Sequence, residues 1–87
     1  MTYTVVFKHS VHKDIRRIPH AILRHIQDAL RVLTTDPHPV GSIKLQKRGN
    51  FYRIRVGKYR IIYEVAKKIR IITIIRIGHR KNVYGEP

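Results

Sequence analysis

The 87 residues allow one domain, spanning positions 1–87, and the absence of cysteine excludes both disulfides and thiolate zinc sites. Nineteen Lys and Arg against five Asp and Glu give a net charge of +14, which favours a polyanionic partner. Nucleic acid is preferred to a membrane, because the basic residues are spread along the chain and no apolar stretch approaches the roughly 20 residues of a membrane span. We expect a cytoplasmic protein, since a chain without cysteine suits a reducing compartment.

The N-terminal half predicts one strand and two helices. Residues 3–8 alternate between two faces, as a strand does. Ser10 is a plausible N-cap of a short first helix, and Pro19 then acts either as a kink or as the first residue of a second helix. That second helix has apolar side chains along one face and runs to about Thr35, where a proline-containing segment ends it.

The C-terminal half predicts an antiparallel three-strand meander. Residues 43–45 lead into a basic loop over 46–50, and the strands cover Phe51–Val56, Tyr59–Val65 and Ile69–Ile77. Gly57-Lys58 has the form of a two-residue hairpin turn. The isoleucine-rich last strand is expected in the middle of the sheet. The predicted fold class is α+β: one N-terminal strand, two helices and the meander, with the helices packed on one face of the sheet.

Four arginines are predicted to converge on one region of this fold. Arg53 and Arg55 project from the same face of a strand, Arg60 follows on the neighbouring strand, and Arg80 lies just past the last strand. Guanidinium groups bind phosphate bidentately and would stabilise a pentacovalent phosphorane as its charge builds. Two plainer interpretations remain open: a solvated sheet face, and an ion pair between Arg60 and Glu64.

Proton transfer needs other residues, because arginine does not release a proton in proteins. A histidine side chain can serve as base or acid near neutral pH, and His79 stands beside Arg80; Tyr84 can orient a nucleophile or stack on a base. A lone surface histidine is usually inert, and five others are present. The i, i+4 spacing of metal ligands is absent and no acidic residue stands in a ligand-like pattern near these five: His9, His12, His20, His25 and His38.

The set of candidate residues favours RNA cleavage without a metal. The acidic residues are too few for a two-metal nuclease, so we expect no metal and no cofactor. RNA permits such a reaction because its own 2′-hydroxyl can attack the adjacent phosphorus. DNA lacks that hydroxyl.

Two segments carry a resemblance to a known family. The run FYRIRVGKYRIIYEV over 51–65 and the run IGHRKNVY over 77–84 resemble the signature half of the RelE/ParE toxin superfamily, on its RelE side. With the strand-helix-helix-meander layout, the resemblance covers nearly the whole chain. It implies the toxin of a type II toxin–antitoxin pair. Such toxins cut mRNA in the ribosomal A site without metal, leave a 2′,3′-cyclic phosphate and inhibit translation.

The resemblance also implies site residues and partners. The family's catalytic set matches Arg53, Arg55, Arg60, Arg80 and Tyr84. We expect a second group to contact RNA or the ribosome: Lys44, Lys47, Arg48, Lys58 and Lys81. The implied partners are the ribosome, mRNA and a cognate antitoxin, encoded adjacently, that wraps the toxin in a heteromeric complex.

One departure from the family pattern concerns the general base. The family has lysines where this chain has Arg53 and Arg55, and arginine is the poorer base. We therefore hypothesise that His79 takes a larger share of proton transfer here. Two other functions stay open: a ParE-like inhibitor of DNA gyrase, and a catalytically inactive relative that binds RNA or the ribosome.

Overall fold

The computed structural model describes residues 2–45 and 49–79, which contain five strands and two helices. The predicted α+β class is confirmed. The elements in chain order are β1 (Thr4–Phe7), α1 (Val11–Arg16), α2 (His20–Thr35), β2 (Ile43–Lys44), β3 (Phe51–Val56), β4 (Tyr59–Ala66) and β5 (Ile71–His79).

The strands form one sheet in the order β1-β5-β4-β3-β2, with β1 parallel to β5 and the other pairs antiparallel. The prediction of a three-strand meander is therefore incomplete, because four strands follow the helices. The additional strand, β2, pairs Ile43 with Arg53 and Lys44 with Tyr52. Two residues are too short to show an alternating pattern, so this strand arises from pairing with β3 and not from local sequence.

The isoleucine-rich strand lies inside the sheet but not at its centre. β5 is flanked by β1 and β4, and β4 holds the middle position. The two-residue turn at Gly57-Lys58 is confirmed, since Val56 pairs with Tyr59 across it and Gly57 has φ of 60°. Glycine suits this position because a side chain there would be strained.

Pro19 separates the two helices. Its φ of −58° and ψ of 145° place it in extended conformation as the N-cap of α2, so it is neither a kink nor the first helical residue. Its carbonyl accepts the N–H groups of Ile22 and Leu23. The end of α2 at Thr35 is confirmed. No helix in the described part of the chain is long and apolar enough to cross a membrane.

Both helices pack on one face of the sheet, which we call the inner face. The helices contribute the buried side chains of Val11, Ile18, Ile26 and Leu33. The strands contribute Ile54, Ile61, Tyr63, Val65, Ile72, Ile74 and Ile77. This packing fixes the register of the sheet, because a slip by one residue would turn each buried side chain to the other face.

A β-bulge changes the phase of β5. Ile62 pairs with Arg76, while the next residue of β4, Tyr63, pairs with Ile74. Ile75 is therefore an extra residue on β5. Before the bulge the buried side chains of β5 fall on even-numbered positions, and after it the buried side chain is odd-numbered. The bulge thus turns Arg76 to the outer face, whereas strict alternation would have directed it into the core.

Tyr63 fastens the central strand to the segment that follows α2. Its side chain is fully buried, and its hydroxyl donates a hydrogen bond of 2.8 Å to the Pro37 carbonyl. Burial raises the pKa of Tyr63 to about 12. The folded state therefore keeps this proton at pH values where an unfolded tyrosine, with a pKa near 10, has lost it.

We predict that Tyr63 stabilises the fold at neutral pH and that this stabilisation is lost at alkaline pH. The contribution is fully present below about pH 10 and is lost as pH rises toward about 12, because the unfolded state releases the proton first. Tyr63→Phe removes this contribution. Urea unfolding at pH 9 and pH 11 is expected to show a smaller decrease in the free energy of unfolding for Tyr63→Phe than for wild type. Equal decreases would contradict the assignment.

Candidate functional site

Three of the arginines singled out in the sequence lie together on the outer face, the side of the sheet away from the helices. Arg53 and Arg55 stand two residues apart on β3, and Arg60 on β4 is the direct register partner of Arg55. Directly opposed residues in an antiparallel pair have Cβ atoms about 4.5–5.5 Å apart. These three residues form what we call the arginine face.

The arginine face carries positive charge that the described residues do not neutralise. Burial, followed by the charges of Arg55 and Arg60, lowers the pKa of Arg53. The Nε atoms of Arg53 and Arg60 are buried, and neither finds an acceptor among residues 2–45 and 49–79. Buried donors of this kind normally have partners, so an anion that reached them after a shift of the side chains would supply the missing acceptors.

The ion pair considered between Arg60 and Glu64 does not form. Both residues lie on the outer face of β4, with Ile62 between them. The ion pairs in the described part of the chain join Asp28 to Arg31 and Asp14 to Arg76. Arg60 therefore has no carboxylate partner among the described residues.

An apolar floor lies beneath the guanidinium groups. Ile62 is only 1% exposed although it belongs to the outer face, and its register partners on either side are Arg53 and Arg76. Arginine commonly covers apolar surface with its methylene stem and keeps the charged end in water. Low-polarity surroundings strengthen the attraction between these charges and a bound phosphate.

Arg76 was not selected as a site residue in the sequence analysis. Its side chain lies next to the carboxylate of Asp14 on α1. Asp14 Oδ2 lies 3.8 Å from Arg76 Nε and accepts the backbone N–H of Ile77 at 3.0 Å. The Asp14 side chain is 15% exposed. One carboxylate thus holds both a side chain and the backbone near the end of β5. The consecutive pair Ile74-Ile75, which breaks the alternation just before Arg76, was the available signal.

His79 lies on the inner face, across the sheet from Arg60. It is the register partner of Tyr59, and their ring centroids are 5.6 Å apart with the planes nearly perpendicular at 79°. A phosphate held by the arginine face would lie on the other side of the sheet from this imidazole. The role of His79 in proton transfer stays a hypothesis, and its position argues against direct contact with that phosphate.

The remaining expected site residues divide into three groups. Lys58 is in the β3–β4 turn and lines a cavity of about 100 Å³ with Arg55 and Arg60. Lys44 pairs with Tyr52, an inner-face residue, so it lies on the side opposite the arginine face. The others lie outside the described residues: Lys47, Arg48, Arg80, Lys81 and Tyr84.

No group of three or more His, Asp or Glu side chains within the described ranges is arranged to hold a metal ion.

Comparison with known proteins identifies the family. The family model described as the ParE toxin of a type II toxin–antitoxin system matches residues 5–84. The chain is similar to Toxin RelE3 of Methanocaldococcus jannaschii, with 31% identity over 88 residues that cover 92% of this chain and 93% of the relative. The chain belongs to the RelE/ParE family of type II toxin–antitoxin toxins.

Further relatives place this family member on the RelE side. Toxin RelG of Mycobacterium tuberculosis is 28% identical over 85 residues, covering 97% of this chain and 98% of the relative. A chain of the archaeal RelE–RelB complex from Pyrococcus horikoshii superposes with a TM-score of 0.82 at 34% identity, covering 92% of this RelE-type toxin and 97% of that chain. An Escherichia coli RelE variant in the free state has the same fold, with a TM-score of 0.82 at 22% identity and coverage of 99% and 94%.

We predict that Asp14 stabilises the end of β5. Asp14→Ala leaves the Ile77 N–H without its acceptor and Arg76 without its carboxylate, and we expect the free energy of unfolding to fall by about 1–3 kcal/mol. Asp14→Asn keeps an acceptor and is expected to lose less. Urea unfolding measures both, and amide hydrogen exchange should be faster at Ile77 in Asp14→Ala.

The matched control is Asp28→Ala, which removes an exposed carboxylate paired with Arg31 on α2. Its effect is expected to stay within about 0.5 kcal/mol. Equal losses for Asp14→Ala and Asp28→Ala, with unchanged exchange at Ile77, would contradict the role given to Asp14.

Proposed function

We propose that this RelE-type toxin is a metal-independent endoribonuclease that cleaves mRNA on the ribosome and thereby inhibits translation. The observation that supports this most is the arginine face, where two buried Nε atoms have no acceptor among the described residues. The net charge of +14 adds long-range attraction for RNA and the ribosome. Membership in the family makes cleavage the first chemistry to test.

The proposed reaction uses the RNA's own nucleophile. The 2′-hydroxyl oxygen forms a bond to the adjacent phosphorus as its proton leaves, and the bond from phosphorus to the 5′-oxygen breaks as that oxygen gains a proton. The products are a 2′,3′-cyclic phosphate and a 5′-hydroxyl. Negative charge builds on the phosphorane in between, and the proposal gives its stabilisation to Arg53, Arg55 and Arg60, which lie together on β3 and β4.

The resemblance adds Arg80 and Tyr84, both outside the described residues: a guanidinium that can stabilise charge on the leaving group, and a phenol that can orient the nucleophile. The position of His79 on the inner face shifts the proposed proton transfer away from it. Arg53 is a charge stabiliser in this proposal, because a lowered pKa still leaves a guanidinium protonated near neutrality.

The proposed partner in the resting cell is a cognate antitoxin. Solved relatives include RelE–RelB complexes from Pyrococcus horikoshii and from Methanococcus jannaschii. A chain with 19 basic and five acidic residues is suited to an acidic antitoxin segment, because opposite charge speeds association and relieves self-repulsion. Genes for such pairs are expected to lie side by side.

We predict that Arg60→Ala lowers cleavage by about 10²–10³-fold, the usual effect of removing one charge-stabilising donor from a transition state. The measurement is primer extension on mRNA in a reconstituted translation reaction. A 2′-deoxy substitution at the cut nucleotide should abolish the cut, and the upstream product should end in a cyclic phosphate. Arg24→Ala, which removes an exposed charge on α2, is the control and should stay within about threefold.

The other outcomes separate the alternatives. Equal rates for Arg60→Ala and Arg24→Ala would exclude the arginine face as the active site. Ribosome binding without any cut by wild type would favour an inactive RNA-binding relative. Absence of both, with loss of gyrase supercoiling activity, would favour the ParE-like alternative; the ParE toxin is the one that the matched family model's description names.

A further inference from the structure

A small groove borders the arginine face along the β2 edge of the sheet. It has a volume of about 300 Å³, and its described lining includes Val40, Gly41, Ile43, Arg53 and Arg55. Two of these residues also belong to the arginine face, so the groove and the cluster are continuous. The family-derived site residues do not include any of the apolar ones.

The apolar part of the groove is exposed to solvent. Ile43 is 49% exposed, and Val40 is fully exposed in the turn before it. Ile43 is the register partner of Arg53, so its side chain lies on the outer face one strand away, about 5 Å along the sheet. Exposed branched side chains next to a charged cluster offer an apolar surface without a partner in the described chain.

The backbone of the turn fixes this surface in place. The Ser42 N–H donates to the Pro39 carbonyl at 2.9 Å, and Gly41 has φ of 93°. No described atom comes within 4 Å of a Cβ built on Gly41, so the space above the turn is open. A preformed surface of this kind loses little entropy when a rigid ligand binds to it.

We propose that this groove receives the nucleobase next to the phosphate held by the arginine face. The inference rests on the proposed function and adds to it a subsite for the base. Arg53 and Arg55 would contact the phosphate, and Ile43 and Val40 would pack against the flat face of the base. In a nucleotide, one sugar joins a phosphate to a planar apolar base. On the sheet, the arginines that would bind the phosphate likewise lie next to the apolar side chains that would contact the base.

Charge and size favour a nucleotide over a protein segment. The charged groups in the described lining are both guanidinium, and Arg53 Nε is buried without an acceptor there. A volume near 300 Å³ suits one base and part of a ribose, whereas an extended peptide needs a longer channel. Flipped or single-stranded bases are commonly held between apolar side chains in this way.

The test compares two ligands that differ only in their bases. One is a single-stranded RNA trinucleotide whose 2′-oxygens are methylated to prevent cleavage. The other is an abasic ribose-phosphate chain with the same 2′-O-methyl groups and the same number of phosphates. We expect wild type to bind the base-bearing ligand about tenfold more tightly in low-salt calorimetry, as a single base contact would give.

Ile43→Ser is expected to remove most of this preference and to leave affinity for the abasic ligand unchanged. Val40→Ser, at a fully exposed position where no core contact is lost, should reduce the preference in part. The matched control is Ile69→Ser, since Ile69 is 67% exposed in the turn at the opposite end of β4 from Arg60. That variant should keep the full preference.

Two results would overturn the proposal. One is an unchanged base preference in both Ile43→Ser and Val40→Ser. The other is an equal loss for both ligands, which would mean that the groove acts only through charge. Antitoxin binding lost in Ile43→Ser while base preference persists would assign the groove to protein contact instead. Because this assay needs no cleavage, an inactive wild type would refute the proposed function and leave the groove's own result standing.

Discussion

Repulsion between guanidinium groups on one open face of the sheet is the constraint that the rest of this structure must accommodate. Arg55 and Arg60 stand directly opposite each other across two strands, and Arg53 adjoins them. Like charges in direct cross-strand positions destabilise a sheet. The described carboxylates do not relieve this repulsion, since Asp28 pairs on the helix surface and Asp14 binds at the edge of β5. An anion laid across the face would relieve it, so the same feature that weakens the free fold favours phosphate binding.

The rest of the sheet makes this arrangement tolerable. The inner face carries an isoleucine-rich core against both helices, which stabilises the fold without help from the outer face. The bulge at Ile75 then turns Arg76 outward and places the next residue, Ile77, in the core. Asp14 holds that strand where its edge is no longer paired with β1. Stability and recognition are thus assigned to opposite faces of one sheet.

The sequence predicts most of this fold, because strict alternation in β3 and β4 and a single apolar face on α2 are strong local signals. It places Arg53, Arg55 and Arg60 together for the same reason. It does not predict β2, which two residues form only through pairing with β3, nor the outward turn of Arg76, which depends on a bulge. It also cannot tell that His79 faces away from the arginines, since the bulge sets the phase of every residue after it.

The most direct test of this account is the stability of Arg55→Gln relative to wild type, measured by urea unfolding at low salt with and without inorganic phosphate. Without phosphate we expect the variant to be more stable by a few tenths to about 1 kcal/mol, because one of two opposed charges is gone. Phosphate or salt should then stabilise wild type more and close the gap. Arg24→Gln on α2 serves as the control for net charge. A variant that is less stable than wild type in both conditions would contradict the account.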